Sequence, residues 1–216
     1  MYSRTISASG IVKFPDKILI KTLGEKIKST GGLLISNEVT AGFGRTGKWF
    51  GFEHYEFSPD IISVGKALGN GYPISGVCVS KAISDEFCKN SFRYAQSHQN
   101  DPLGCAIGIA IIEYYISENI IAKANETGLY FSKSLHNLLE AYNSDIKEIR
   151  ARGMMLSMEL YSTEKAEALY SYLLEKRFLI GLKQNTIRFM PPLVITKNQI
   201  ESLIEHIDFF CKNIKI

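Results

Sequence analysis

LLISNEVTAGFGRTGKWFGFEHYEFSPDIISVGKALGNGYPISGVCV, residues Leu33 to Val79 of a 216-residue chain, is the stretch that decides the fold. Three short apolar runs punctuate it: Leu33-Leu34-Ile35, Ile61-Ile62-Ser63-Val64, and Ile74 to Val79. The first follows a double glycine, and the second lies between Pro59-Asp60 and Gly65. Runs this short, apolar throughout and rich in β-branched residues, predict strands buried on both faces of a largely parallel sheet. Just upstream, Ile18, Leu19, Leu23 and Ile27 keep near-helical spacing, so Ile18 to Ser29 reads as a helix ending near Gly31 and Gly32.

Downstream the pattern changes. From Pro102 to Tyr142 there is no further proline, and Ile109, Ile112, Ile116 and Ile120 recur at helical spacing. This predicts one long helix and then a second, with Gly128 as the interruption. The last third alternates: a strand over Met154 to Leu160, an amphipathic helix over Glu164 to Lys176, and a strand over Thr186 to Met190 stopped by Pro191-Pro192. Thr196 with Gln199 three residues later forms a capping-box signature. The helix it opens puts Ile200, Leu203, Ile204, Ile207 and Phe210 on one face. The expected architecture is an α/β domain with long connecting helices over residues 1–142, then a small α+β domain over 143–216.

Composition bounds the function. Hydrophobic residues make up 45% and charged residues 22%, an ordinary globular balance. Lys and Arg number 25 against 22 Asp and Glu, a net +3 too slight to predict nucleic acid or an anionic membrane as partner. No apolar run approaches the roughly 20 residues of a membrane-spanning helix, and Met1 to Gly10 lack the apolar stretch of a signal peptide. The expected location is cytoplasmic. Cys78, Cys88, Cys105 and Cys211 have no metal-ligand spacing, so no metal site is expected and they read as buried, reduced thiols.

Two glycine-rich segments carry the chemistry. Thr40 to Gly47 places three glycines in six positions immediately after a predicted strand. It fits neither the dinucleotide fingerprint nor the phosphate loop ending in Gly-Lys-Ser/Thr. Gly65-Lys66-Ala67-Leu68-Gly69-Asn70-Gly71 sets a lysine directly after an apolar strand. Partial burial there would lower its amine pKa and make it a nucleophile for a carbonyl, as in Schiff-base enzymes.

Together these segments resemble the core of the class III aminotransferases, pyridoxal-phosphate enzymes of the aspartate-aminotransferase-like fold. That family's pattern runs Leu-Leu-Ile, Asp-Glu-Val, Gly-Phe-Gly-Arg-Thr-Gly, a His, Pro-Asp, and then the Schiff-base lysine before a glycine-rich turn. The likeness continues through Asn100-Asp101-Pro102-Leu103, Arg150-Ala151-Arg152-Gly153-Met154-Met155 and Ile187-Arg188-Phe189-Met190-Pro191-Pro192. The resemblance implies pyridoxal 5′-phosphate as cofactor, with an amino donor and a 2-oxo acid acceptor as substrates. It implies a homodimer, and residues 1–142 as part of a cofactor domain. Lys66 matches the lysine that holds the cofactor and shuttles the substrate proton. Val39 matches the apolar residue behind the pyridine ring, a role compatible with a plain core position. Ser97 aligns with a threonine that binds the cofactor phosphate across the dimer interface, although His98-Gln99-Asn100 departs from the usual Phe-x-Gly. Arg188 matches the arginine that grips the substrate carboxylate, a task suited to a guanidinium fork. Arg45 reads as structural, His54 as packing or hydrogen-bonding, and Arg150 and Arg152 as holding a domain junction.

Two departures shape the expectation. Asn37 stands where the family has an aspartate facing the ring nitrogen. An anion there keeps the nitrogen protonated and the ring a strong electron sink. Asparagine carries no charge, so holding the cofactor should outlast turnover. Family members are also about twice this length, and the amino-terminal half with its phosphate loop has no counterpart here. The expectations are an aminotransferase in truncated form, or the carboxy-terminal part of one whose other half is supplied by a separate chain, or a non-catalytic remnant of such an enzyme. The same reading expects the exposed edge of half a sheet to associate.

Overall fold

In the computed structural model, which describes residues 12–90 and 94–214, the chain divides into two compact units. The first takes Pro15–Phe43 and Lys48–Ile120; the second takes Gly44–Gly47 and Ile121–Ile216, together with residues 12–14. The division therefore falls at Ile120 rather than after Tyr142. Its cause is the helix after Ile120, which sends Phe131, Leu135 and Leu138 into the second unit's core.

In the first unit Asp16 caps helix α1 (Lys17–Ser29) by accepting the Leu19 N–H at 2.9 Å. Strands β1 (Ile35–Asn37), β2 (Ile61–Val64) and β3 (Gly76–Val79) form a sheet in that order. β1 and β2 run parallel, with Ile35 opposite Ile61 and Asn37 opposite Ser63. β2 and β3 run antiparallel, so the expected parallel majority is one pair of two. A parallel return needs a crossover of a dozen or more residues. Between β2 and β3 there is only the loop 65–75, with a single 3₁₀ turn at Lys66–Leu68.

The first apolar run is shifted as well. Leu34 ends outside the strand because its N–H donates to Asp60 Oδ2 at 2.8 Å and its carbonyl accepts the Asp60 and Ile61 N–H groups. Leu33 is exposed. Nor are the strands buried on both faces: β2 is half-buried, and Val77 on β3 is 67% exposed. Helix α2 (Lys81–Lys89) buries none of its residues, and helix α3 (Pro102–Ser117), capped by Asp101, buries only Gly104 and Gly108. Cys78, Cys88 and Cys105 are accordingly exposed and Cys211 half-buried; all are free thiols, against the expectation of burial.

The second unit holds helix α4 (Ile120–Ala141), strands β4 (Ile146–Arg152) and β5 (Met155–Leu160), helix α5 (Thr163–Glu175), strands β6 (Gly181–Lys183) and β7 (Thr186–Phe189), and helix α6 (Lys197–Asn213). Its sheet, β4-β5-β7-β6, is antiparallel throughout. One sheet face carries Leu156, Met158, Leu160, Ile187 and Phe189 into a core shared with Ala166, Leu169 and Leu173 of α5 and Ile200, Leu203, Ile207 and Phe210 of α6. Each large apolar side chain buried this way contributes about 1.5–3 kcal/mol. The Thr196–Gln199 capping box is present.

Gly128 does not break the helix. The break between α3 and α4 lies at Glu118–Asn119, where Asn119 takes a left-handed φ of 52°. Gly128 sits inside α4 because a Cβ there would come within 2.5 Å of the Gly153 carbonyl oxygen. Arg45 is structural: its guanidinium donates to the Met154 and Pro191 carbonyls at 3.1 and 2.6 Å. Within the second unit Arg150 donates to the Val12 carbonyl at 2.8 Å, and Arg152 lies over the Phe14 ring.

Candidate functional site

Parallel pairing of β1 and β2 brings their carboxyl ends side by side, where ligands of open α/β sheets collect. Asn37 is the last residue of β1, and the ladder continues one step as Glu38 N–H donates to the Ser63 carbonyl at 2.8 Å. Asn37 then folds back on its own chain: its Oδ1 accepts the Val39 N–H at 3.2 Å. Because a backbone N–H only donates, this contact fixes the carboxamide with its oxygen toward Val39. Val39 in turn packs against the other strand end, and a Cβ on Gly65 would stand 3.6 Å from its Cγ1.

Lys66 follows Gly65 with a left-handed φ of 46°. A non-glycine residue there costs about 1–2 kcal/mol, and such strain collects at functional positions. The conformation is held by the turn it opens. The Lys66 carbonyl accepts the Gly69 and Asn70 N–H groups, each at 3.0 Å, and the Gly65 carbonyl accepts the Leu68 N–H at 3.1 Å. Gly104 and Gly108 let α3 lie against Leu68, Tyr72 and Ile74 of this loop. The Tyr72 hydroxyl donates to Asp101 Oδ2 at 3.3 Å; burial, and then the neighbouring carboxylate, push its phenol pKa up. The lysine side chain itself is exposed rather than partly buried as expected. Its amine lies 2.8 Å from Thr40 Oγ1.

Two residues here carried no role in the sequence reading. Thr40 is one, and Glu38 is the other. Glu38 is 1% exposed, and its carboxylate accepts from the Ser36 hydroxyl at 2.7 Å and from the Gly51 and Phe52 N–H groups at 2.8 and 3.0 Å. A buried carboxylate is tolerated because three donors replace water. It ties the end of β1 to the aromatic segment in which Phe43 meets Trp49 and Phe50, and Phe50 stacks on Phe52. Its signal was a lone carboxylate among small and apolar residues at a predicted strand end.

Asn37, Val39 and Lys66 thus come together. Ser97 lies in an exposed turn at residues 97–100, and no described hydrogen bond joins it to those three. Arg188 belongs to the second unit. On β7 it stands opposite Ser157 of β5 and Gly181 of β6, half-buried. Its guanidinium lies close to Gly181: a Cβ there would be 2.9 Å from Nη2 and 3.0 Å from Nε.

Residues 5–210 match the family described as Aminotransferase class-III. The acetylornithine aminotransferase of Methanocaldococcus jannaschii is 35% identical over 213 residues, which are 97% of this chain and 52% of that protein. The ornithine aminotransferase of Brevibacillus brevis is 37% identical over 205 residues, 92% of this chain and 48% of that one. Among solved structures, an S-selective transaminase from Arthrobacter sp. with alanine bound has a TM-score of 0.89 at 26% identity, covering 97% of this chain and 50% of its own. The acetylornithine aminotransferase from Elizabethkingia anophelis has a TM-score of 0.84 at 29% identity, covering 95% and 54%. The chain spans about half the length of the curated relatives it matches. No described helix is long and apolar enough to cross a membrane.

Proposed function

We propose a function from one premise: this chain belongs to the class III aminotransferase family. In this reading it moves an amino group from an ω-amino compound or amino acid to a 2-oxo acid, with pyridoxal 5′-phosphate as cofactor. The names of the relatives, acetylornithine and ornithine aminotransferase, favour a donor of that ω-amine type.

The observation that carries the reading is Lys66, strained and at the paired ends of β1 and β2, with Asn37 and Val39 beside it. The donor set fits the cofactor: an amine for an aldehyde, an apolar side chain for a ring face, and a carboxamide for a ring nitrogen. Bound pyridoxal phosphate would supply an aldehyde that takes up amines and a ring that accepts electrons as a substrate carbon loses its proton. Lys66 would anchor the group and carry that proton on Nζ. Val39 would pack behind the ring, and Ser97 would offer its hydroxyl to the phosphate. Arg188 would hold the substrate carboxylate, presented by the bare Gly181 backbone behind it.

Asn37 favours a second reading, a chain that holds the cofactor but turns over slowly. Its carboxamide carries no charge, so it lacks the anion that keeps a ring nitrogen protonated and the ring a strong electron sink.

The partners proposed are a second copy of the chain and a separate chain supplying the remaining half of the family fold. Apolar surface on β3 and α3 supports such a partner: Val77, Leu103, Ile109, Tyr114 and Ile116 are each more than half exposed. A cytoplasmic setting completes the proposal.

Pyridoxal phosphate added to the chain tests the reading directly. A new absorption band, with borohydride fixing the label on Lys66, is the expected outcome. An identical band from Lys66→Ala would sink it. Conversion of the bound cofactor by ornithine-type donors then separates the active from the slow reading.

A further inference from the structure

We propose that Thr40 is the positioning residue of Lys66, its hydroxyl holding the amine over the carboxyl ends of β1 and β2. The proposal rests on the reading of Lys66 as the cofactor lysine. It starts from one contact, the Lys66 Nζ to Thr40 Oγ1 hydrogen bond of 2.8 Å.

The topology makes that contact specific. Thr40 lies three residues beyond Asn37 and Lys66 three beyond Ser63, and Asn37 and Ser63 are opposite each other in the parallel pair. Both loops are pinned independently of the contact. On the Thr40 side the Val39 N–H is held by Asn37 and the Glu38 carbonyl accepts the Gly42 N–H at 2.9 Å. On the other side the Lys66 carbonyl is held by Gly69 and Asn70. Two fixed backbones therefore present a hydroxyl and an amine to each other.

The partner matters because the lysine is exposed. A free lysine chain on a surface samples many rotamers, and its amine spends little time at any one point. A hydroxyl suits the task where a carboxylate would not. It accepts an N–H from either the ammonium or the neutral amine, so it holds the nitrogen in both states. With the neutral amine donating an N–H to Oγ1, the nitrogen lone pair stays available for an incoming aldehyde. A fixed charge in the same place would hold the ammonium and oppose that step.

Removing the hydroxyl removes the restraint and should slow capture of an aldehyde. Capture is followed at high pH, where lysine amines in general are neutral.

The test follows pyridoxal phosphate capture by the whole chain, stopped with borohydride and read by mass at Lys66, in wild type, Thr40→Val, Thr40→Ser and Lys66→Ala. The denaturation midpoint of each variant is measured alongside. Thr40→Val should capture about tenfold more slowly at high pH, the size of one lost hydrogen bond. Thr40→Ser should restore most of the rate, because it restores the hydroxyl but not the methyl. Capture by Thr40→Val at the wild-type rate, with capture still at Lys66, overturns the proposal and leaves the site reading intact. A rate lowered equally in Thr40→Ser and Thr40→Val overturns it too, by assigning the effect to packing. No capture at Lys66 in the wild type removes the site reading and this proposal with it.

Discussion

The two units solve the burial problem differently. In the second, four antiparallel strands cover one face with α4, α5 and α6, and Leu156, Met158, Leu160, Leu169, Ile187 and Ile207 are all fully buried. In the first, a three-stranded sheet leaves Val77 and Val79 exposed, α2 buries nothing, and α3 turns mostly apolar surface outward. Yet the first unit holds the strained lysine, the asparagine and the buried glutamate. The unit with the smaller core carries the chemistry, and its order rests on local hydrogen bonds at the strand ends. Stability and reactivity are therefore separable by mutation.

The largest expected effect tests the core side of that contrast. Phe189→Ala removes a ring that is 2% exposed and 5.5 Å from Phe131, so it should cost about 3–5 kcal/mol. Val77→Ala, on the exposed edge strand, should change stability by less than about 0.5 kcal/mol. Chemical denaturation of each variant decides. A large loss from Val77→Ala would mean that its exposed face is covered in solution, by a second copy or another partner.

On the reactive side the controlling quantity is charge. Asn37→Asp keeps the shape and the acceptor for the Val39 N–H, so the denaturation midpoint should barely move. The new carboxylate should favour a protonated ring and raise single-turnover conversion of bound pyridoxal phosphate by about a hundredfold, or ~3 kcal/mol. Equal rates for asparagine and aspartate would remove the electrostatic argument.

Gly181→Ala sharpens the contrast inside the second unit. Its new Cβ would overlap the Arg188 guanidinium, the far end of a flexible chain, so the arginine should move while the sheet stays folded. If Arg188 binds a carboxylate, the variant should weaken donor binding by about tenfold with little change in midpoint, since displaced charge-assisted contacts are worth about that much. A titration of carboxylate donors against the loaded chain reads it.

How much of this was legible depended on whether a residue's neighbours in sequence were also its neighbours in space. The Thr196 capping box, the α6 stripe, β2 and β5 were readable because local spacing determines them. β4 was not: in Lys147-Glu148-Ile149-Arg150-Ala151-Arg152 the charged residues lie on one face and a bulge follows Ile146, so no apolar run marks it. Gly128 reads as a breaker until Gly153, twenty-five residues away, is seen against it. Apolar runs identified the strands of the first unit, but their exposure depends on what covers the sheet. In the site, Lys66 and Asn37 stood out by motif. Thr40 and Glu38 did not: the role of Thr40 rests on the parallel pairing of β1 with β2, and that of Glu38 on the Gly51 and Phe52 N–H groups of a separate turn.

The smallest effect separates the two units by pH. In the second, Glu159 on β5 is 14% exposed and accepts from Lys147 and Arg150, each at 2.7 Å. Those bonds hold its pKa below the ordinary 4.5, and the Lys147 amine is raised in return. A carboxyl lowered on folding adds stability that is fully present above its unfolded value and is lost as pH falls through the folded one. The window thus opens near 4.5 and runs downward. Glu56 in the first unit is lowered too, by its bond to Lys17, but both partners are more than half exposed. Water and salt screen such a pair, and its contribution is small. Glu159→Gln should therefore flatten the acid-side loss of stability, while Glu56→Gln should leave it almost unchanged. Denaturation midpoints followed from neutral pH into that window, at low and high salt, check both variants. Equal flattening by the two would show that the first unit's surface ion pair is held as firmly as the second unit's half-buried one.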